Sequence, residues 1–214
     1  MDTRAETTRN LLVDTAIDLF AERGVHSVSM AEIVRQAGQR NLSALHYHFG
    51  GREGLLQAIM ERYIPVIADR RLELLEQARL SGPADLRAPV EALVRPVAEL
   101  AQRGRRERGY LLIGAELATG PDRNQASIQA LFLGTAGYQV RDLLAERLPA
   151  LAPAVLRARF HVCAMLTGRA ASDRVRMLGE GPPDQDQLAS DAAFVDNLVD
   201  MMVGALGAPS TVAP

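Results

Sequence analysis

The sequence has almost none of the features that secreted and membrane proteins need. Its single cysteine, Cys163, excludes an internal disulfide framework and fits a reducing compartment. No stretch approaches the roughly 18 consecutive apolar residues of a membrane span. The first residues, MDTRAETTRN, contain no apolar run of the kind found in secretory signals. We therefore expect a cytoplasmic protein without a membrane partner.

Lysine and tryptophan are also absent, and aromatic residues make up only 4% of the 214 residues. All 24 basic side chains are consequently arginine, which a coding bias toward G·C-rich codons would explain. Each of them can still make a two-pronged contact to phosphate or guanine. The net charge of −2 gives the chain as a whole no attraction to nucleic acid, so any such function has to be local.

What the sequence does contain is a helical spacing of apolar residues along its length, and no stretch alternates convincingly with period two. A first helix ends at Gly24, where glycine can adopt the left-handed conformation of a C-terminal cap. The pattern SMAE, from Ser29 to Glu32, is a capping box that starts a second, short helix. A third segment runs from about Leu42 to His48, and further turn signals divide the remainder. We predict an all-α protein with about nine helices.

A fourth helix begins near Arg52 and contains Pro65, which lacks a backbone donor and therefore predicts a kink or a break. The first long loop signal, SGPADLRAP, follows only at residues 81–89. We place the domain boundary on this helix. It divides the chain into a three-helix unit at 1–62, a larger helical domain at 63–206 and a flexible tail at 207–214.

The segment AGQRNLSALHYHFGGRE, residues 37–53, concentrates arginine, histidine and tyrosine, with no acid between Glu32 and Glu53. Two short helices joined by a glycine-containing turn are the outline of a helix-turn-helix, whose second helix enters the major groove. Such a helix needs small residues at its leading end, long polar side chains for base edges, and donors for phosphate. The candidates for these roles are Ser29, Gln39, Arg40, Asn41, Ser43, Ala44, His46, Tyr47, His48 and Arg52.

Histidine also serves metal sites and catalysis, so we considered both. His46 and His48 are two residues apart, which on a helix points them about 200° away from each other rather than toward one metal. His161 and Cys163 have the same spacing, and no acid partner is evident for a catalytic pair. We therefore expect no enzyme, cofactor or metal. A helical module that binds protein rather than DNA is the alternative function.

The segments LLVDTAIDLFAERGVHSVSMAEIVRQAG and LHYHFGGREGLLQAI resemble the N-terminal domain of the TetR (tetracycline-repressor-like) transcriptional regulators, over about residues 4–63. The chain has one residue more than is usual in this family between the AG turn and Phe49. His46 stands where the family has a phosphate-binding tyrosine, and Arg52 stands where it has lysine. The resemblance implies a DNA-binding domain at 1–62, a ligand-binding and dimerisation domain at 63–206, and a repressor that an effector releases from its operator.

The same resemblance implies that the last two long helices pair with those of a second copy, giving a homodimer on a pseudo-palindromic operator. The last helix, about 187–206, carries two apolar stripes, which is more than a monomer core needs. We expect the effector to act through the fourth helix, with motion concentrated at Pro65. The predicted dimer contacts are Phe160, Ala164, Val195, Val199 and Met202, and the predicted effector site comprises Tyr110, Glu116, Phe132, Tyr138 and His161.

Overall fold

The computed structural model describes residues 3–39, 41–119, 136–177 and 185–211. These residues form nine α-helices and no strand, which confirms the all-α prediction. None of the described helices is both long enough and apolar enough to cross a membrane. The helices are α1 (Thr3–Arg23), α2 (Met30–Gln36), α3 (Ser43–Phe49), α4 (Arg52–Leu80), α5 (Arg87–Arg103), α6 (Arg105–Thr119), α7 (Gly137–Arg147), α8 (Pro153–Met177) and α9 (Gln185–Gly207).

The ends of the first helices follow the predicted signals. α1 ends at Arg23, and Gly24 takes a φ of +87°, which glycine adopts without steric cost. At the start of α2, the Ser29 hydroxyl oxygen accepts a hydrogen bond of 3.2 Å from the amide of Glu32. The Glu32 carboxylate also pairs with the Arg23 guanidinium at 2.7 Å, and this hydrogen bond holds the pKa of Glu32 below its ordinary value.

Pro65 does not interrupt α4, which runs as one helix from Arg52 to Leu80. The predicted break at this proline is therefore wrong. Proline removes a single intrahelical hydrogen bond, and buried side chains on both sides of it, Tyr63 and Ile67, hold the helix against the core. One residue, Gly104, separates α5 from α6.

The buried apolar side chains form two clusters that meet along α4. The first cluster joins α1, α2, α3 and the start of α4 to the end of α5, to α6 and to the end of α8. The second joins the later part of α4 to α5, α7, the first part of α8, and α9. A domain boundary at 62–63 stays a prediction, since the three N-terminal helices share their core with α6.

α6 connects the N-terminal helices to the rest of the protein. Gly109 allows it to approach α1 closely, because a Cβ at this position would lie 2.8 Å from an α1 side chain. Near the start of α6, Arg106 pairs with Asp14 of α1 at 2.7 Å. Near its end, both carboxylate oxygens of Glu116 accept the amide of Val25, at 2.9 and 3.0 Å. The turn between α1 and α2 is therefore tied directly to α6.

Candidate nucleic-acid interface

α3 is held from behind by the core and is exposed in front. Leu45 has 0% exposed surface and packs into the first cluster. Phe49 is partly buried against the same cluster, and the Arg9 guanidinium lies 5.4 Å from its ring centroid. On the opposite side, Tyr47 keeps 82% of its surface exposed. The core contacts of α3 therefore decide that its solvent face carries Tyr47.

The leading end of α3 begins one residue later than the expected start near Leu42. The Asn41 side-chain oxygen accepts the amide of Ser43 at 2.9 Å, which forms an Asx turn just before the helix. The N-cap residue itself is Leu42. The amide NH2 group of Asn41 stays available as a donor in an exposed position. Ser43 is exposed as well. The predicted base contact from Arg40 lies outside the described residues.

The two histidines of α3 occupy different surroundings. His46 is exposed, and its Nδ1 lies 3.3 Å from the carbonyl oxygen of Gly50. His48 is half-buried between aromatic neighbours, with ring centroids 5.1 Å from Tyr47 and 6.0 Å from Phe49. The described residues contain no group of three or more histidine, cysteine or acidic side chains that could hold a metal ion. His46 therefore remains a candidate DNA contact, whereas His48 mainly packs.

Arg52, predicted to bind phosphate, points into the protein instead. Its guanidinium donates hydrogen bonds to the backbone carbonyls of Val25 and Val28, and it lies 5.8 Å from the ring centroid of Phe20. An arginine at this position can reach the turn between α1 and α2, whose carbonyl groups need donors. Its donors are thus used within the domain. We leave Arg52 out of the proposed DNA contacts for this reason.

The remaining predicted DNA contacts lie around the same surface. Ser29 is exposed and caps α2. Gln39 is half-buried, with its amide nitrogen 3.5 Å from the Ala37 carbonyl, and Ala44 is half-buried on α3. Arg35 is an exposed cation on α2. Apart from Arg40 and Arg52, the predicted DNA contacts are therefore exposed or half-buried residues on or next to α2 and α3.

The predicted effector residues occupy different surroundings. Tyr110 is buried in the first cluster, with its ring centroid 4.8 Å from that of Tyr63. The Glu116 carboxylate accepts a hydrogen bond from the amide of Val25, in the turn after α1. Tyr138 is exposed beside Arg141, and His161 is exposed on α8. Phe132 lies outside the described residues. An open cleft of about 350 Å³ between α7 and α8 is lined by none of these five side chains.

Four of the five predicted dimer contacts belong to the protein's own core. Phe160, Val195, Val199 and Met202 are buried in the second cluster, and Ala164 is partly buried against it. Helical periodicity does not say which apolar stripe faces inward. Because these side chains pack within one copy of the chain, we do not propose them as dimer contacts.

A different apolar surface is exposed on the same two helices. We call it the outer face; it consists of Val162, Met165 and Leu166 on α8 and Met201 on α9. Val162 and Met201 expose 62% and 56% of their surface. The sequence signal for this face was the second stripe of α9, which contains Met201.

Two family models match the chain, and together they span most of it. Residues 12–59 match "Bacterial regulatory proteins, tetR family". Residues 91–205 match "Tetracyclin repressor-like, C-terminal domain".

Curated relatives match over a limited part of the chain. The transcriptional regulator AcrR of Shigella flexneri is 36% identical over 78 residues, which is 36% of this chain and 35% of AcrR. SrpR of Pseudomonas putida is 36% identical over 56 residues, 26% of each chain. The chain thus matches only a quarter to about a third of the length of these relatives.

Solved structures match over nearly the whole length and share the fold. The fatty acid degradation regulator FadR from Bacillus halodurans superimposes with a TM-score of 0.64 at 15% identity, covering 94% of this chain and 96% of that one. NalD, a secondary repressor of a multidrug efflux pump in Pseudomonas aeruginosa, gives 0.61 at 22% identity, covering 94% and 97%. The C-terminal family model alone matches more than half of the chain, and the N-terminal family model matches residues 12–59. The chain therefore belongs to the tetR family of bacterial regulatory proteins.

Proposed function

We propose that this protein is a transcriptional repressor that binds a double-stranded DNA operator as a homodimer and leaves it when a small-molecule effector binds. The observation that carries the DNA-binding part is Tyr47, which is 82% exposed on a helix whose opposite side is locked into the core. A tyrosine offers an apolar ring and a hydroxyl donor, which together suit a sugar–phosphate backbone. We therefore expect α3 to enter the major groove.

We define the reading surface as Gln39, Asn41, Ser43, His46 and Tyr47. It presents hydrogen-bonding side chains and no carboxylate, so it does not repel the phosphate backbone. Arg35, the exposed arginine of α2, adds positive charge near this surface. Arg40 stays a predicted base contact.

The outer face supports the homodimer. Its four large apolar side chains lie on the last two long helices, and burying them against a second copy would remove them from water. A two-fold interface of this kind presents two copies of α3 to successive major grooves, about 34–36 Å apart. The operator is then expected to be pseudo-palindromic.

α6 is the proposed route from the effector domain to the reading surface. Its side chains join the first cluster, and Glu116 accepts the amide of Val25 in the turn that precedes α2. A shift of α6 would therefore displace this turn and change the spacing between the two copies of α3. To shift the ratio of the released to the DNA-binding conformation from 1:99 to 99:1, the effector must favour the released conformation by ~5.5 kcal/mol.

Selection of bound fragments from a random pool of double-stranded DNA tests the proposed function. We expect enrichment of a palindromic motif and an affinity that falls steeply with salt. Tyr47→Ala should then weaken operator binding by roughly ten- to a hundredfold (~1–3 kcal/mol). Tyr138→Ala truncates an exposed tyrosine on a different helix, α7, and serves as the matched control. It should leave the affinity for the operator unchanged. If no duplex binds in dilute buffer, the proposal fails, and a salt-insensitive protein partner would favour an interaction module.

Analytical ultracentrifugation tests the dimer separately. Met165→Glu places a charge in the outer face and should convert the dimer to monomer without unfolding it. Leu80→Glu makes the same apolar-to-acidic change at an exposed leucine of α4 and should leave the dimer intact. Equal sedimentation of the two variants would exclude the outer face. A repressor of this kind acts on the bacterial chromosome, so we propose a cytoplasmic location.

A further inference from the structure

A buried cation lies where the two apolar clusters meet on α4. Arg71 exposes only 6% of its surface, and it is flanked by Ile67 of the first cluster and Leu74 of the second. Burial lowers its pKa to about 10, which leaves the guanidinium charged at neutral pH. No acidic side chain among the described residues forms an ion pair with it. A buried charge without a counter-charge is unfavourable unless something compensates it.

Part of the guanidinium has a structural partner. Pro96 lacks an N–H, so the carbonyl of Ala92, four residues earlier in α5, has no donor within its helix. Arg71 supplies one, with Nε 3.1 Å from that carbonyl and Nη2 3.4 Å from the carbonyl of Leu93. A neutral glutamine could donate to the same carbonyl without burying a charge. The need for a donor therefore does not explain why the residue is arginine.

The remaining nitrogen of Arg71, Nη1, faces the beginning of α7. It would lie 3.9 Å from a Cβ built on Gly137, the first residue of that helix. The preceding residue, Ala136, gives the helix no side-chain cap. The N-terminus of a helix carries partial positive charge from its free amides. Two positive groups thus face each other in the interior, an arrangement that an anion between them would stabilise.

A second buried donor lies close to Arg71. Tyr110 on α6 is only 3% exposed, and its ring packs against that of Tyr63 at a centroid distance of 4.8 Å. Burial raises the pKa of this phenol, and the neighbouring Arg71 cation opposes the increase. The phenol therefore stays protonated and can donate a hydrogen bond.

We propose that Arg71, the Tyr110 hydroxyl and the first turn of α7 bind the carboxylate group of an amphipathic organic acid. One cation, one neutral donor and one helix N-terminus match a single negative charge. The apolar body of the ligand would pack against the clusters on either side. This inference rests on the proposed effector-released function and names the chemical class of the effector. The ligand would contact α4, α5, α6 and α7 together, and α6 leads to the reading surface.

Isothermal titration calorimetry on the full-length protein tests the site with matched acids and amides. The probes are hexanoate, benzoate and phenylacetate, each compared with its primary amide at constant ionic strength. We expect at least one acid to bind, and to bind at least tenfold more tightly than its amide. Arg71→Gln should abolish this preference, because it keeps a donor for Ala92 and removes only the charge. Arg176→Gln removes a charge from the exposed surface of α8, which is not part of the site, and should leave the preference unchanged.

Tyr110→Phe provides a second variant that keeps the ring contact with Tyr63 and removes only the hydroxyl. It should weaken binding of the acid several-fold and leave the amide unaffected. The inference is overturned if no acid binds, or if acid and amide bind equally. It is also overturned if the preference survives in Arg71→Gln. Operator binding is measured on the same preparations. Intact DNA binding without acid binding rejects this site alone, and acid binding without DNA binding rejects the proposed function alone.

Discussion

Replacing Arg52 by alanine tests whether this residue stabilises the domain or binds phosphate. In the structure its guanidinium donates to the carbonyls of Val25 and Val28 and covers the ring of Phe20. A hydrogen bond from a charged donor contributes ~1.5–3 kcal/mol, and an exposed cation–π contact adds ~0.5–1. Water can replace part of this at the half-buried site. We expect Arg52→Ala to lower the free energy of unfolding by roughly 2–4 kcal/mol.

Urea unfolding followed by circular dichroism measures this loss. Arg52→Lys retains the charge but supplies a point donor that cannot span both carbonyls. It should therefore recover about half of the lost stability. A fall in the midpoint at constant slope would show that the native contacts, rather than the unfolded state, account for the change.

The salt dependence of DNA binding distinguishes the two roles. A residue that neutralises one phosphate contributes ~0.9 to the slope of log affinity against log salt. We expect this slope to be unchanged in Arg52→Ala, measured at a temperature where the variant is folded, because the guanidinium does not contact phosphate. Arg35→Ala should behave in the opposite way, with a slope smaller by ~0.9 and stability within ~0.5 kcal/mol of the parent. An Arg52→Ala variant of full stability but reduced slope would refute the structural assignment.

Three further predictions follow from contacts elsewhere. Glu116→Ala leaves the amide of Val25 without its acceptor and should lower the free energy of unfolding, measured with urea, by ~1–3 kcal/mol. Glu116→Gln keeps an acceptor oxygen and should recover most of the lost stability. Gly109→Ala would place a methyl group 2.8 Å from buried Ile17, so the melting temperature should fall despite the better helix propensity of alanine. Burial disfavours the Asp85 carboxylate, but hydrogen bonds, including those from the first amides of α5 at 2.8 and 3.3 Å, outweigh this and lower its pKa. The stability that Asp85→Ala removes should thus be present at neutral pH and be lost as the pH falls through that lowered pKa, in unfolding curves measured against pH.

Several local features of the fold could be read from the sequence because they depend on neighbouring residues. Ser29 caps α2 and Gly24 ends α1, as the residue types at these positions predict. The periodicity of apolar residues identified the helices, and the motif around Tyr47 identified the family. Pro65 does not split α4, because the loss of one hydrogen bond is smaller than the tertiary contacts that hold the helix on both sides of it.

The assignment of individual side chains depended on contacts between residues distant in the chain. Val195 and Met201 lie in two apolar stripes of one helix, and only packing against α5 and α8 decided that the first is buried and the second exposed. Nothing in the sequence around Arg71 distinguishes it from an exposed helical arginine, and it is buried only because α5, α6 and α7 pack around it. By itself, then, the sequence determined the helices, the family and the general position of the reading surface. The tertiary structure decided which polar groups face DNA, which face a partner and which are enclosed, since burial is a property of the neighbours that folding brings together.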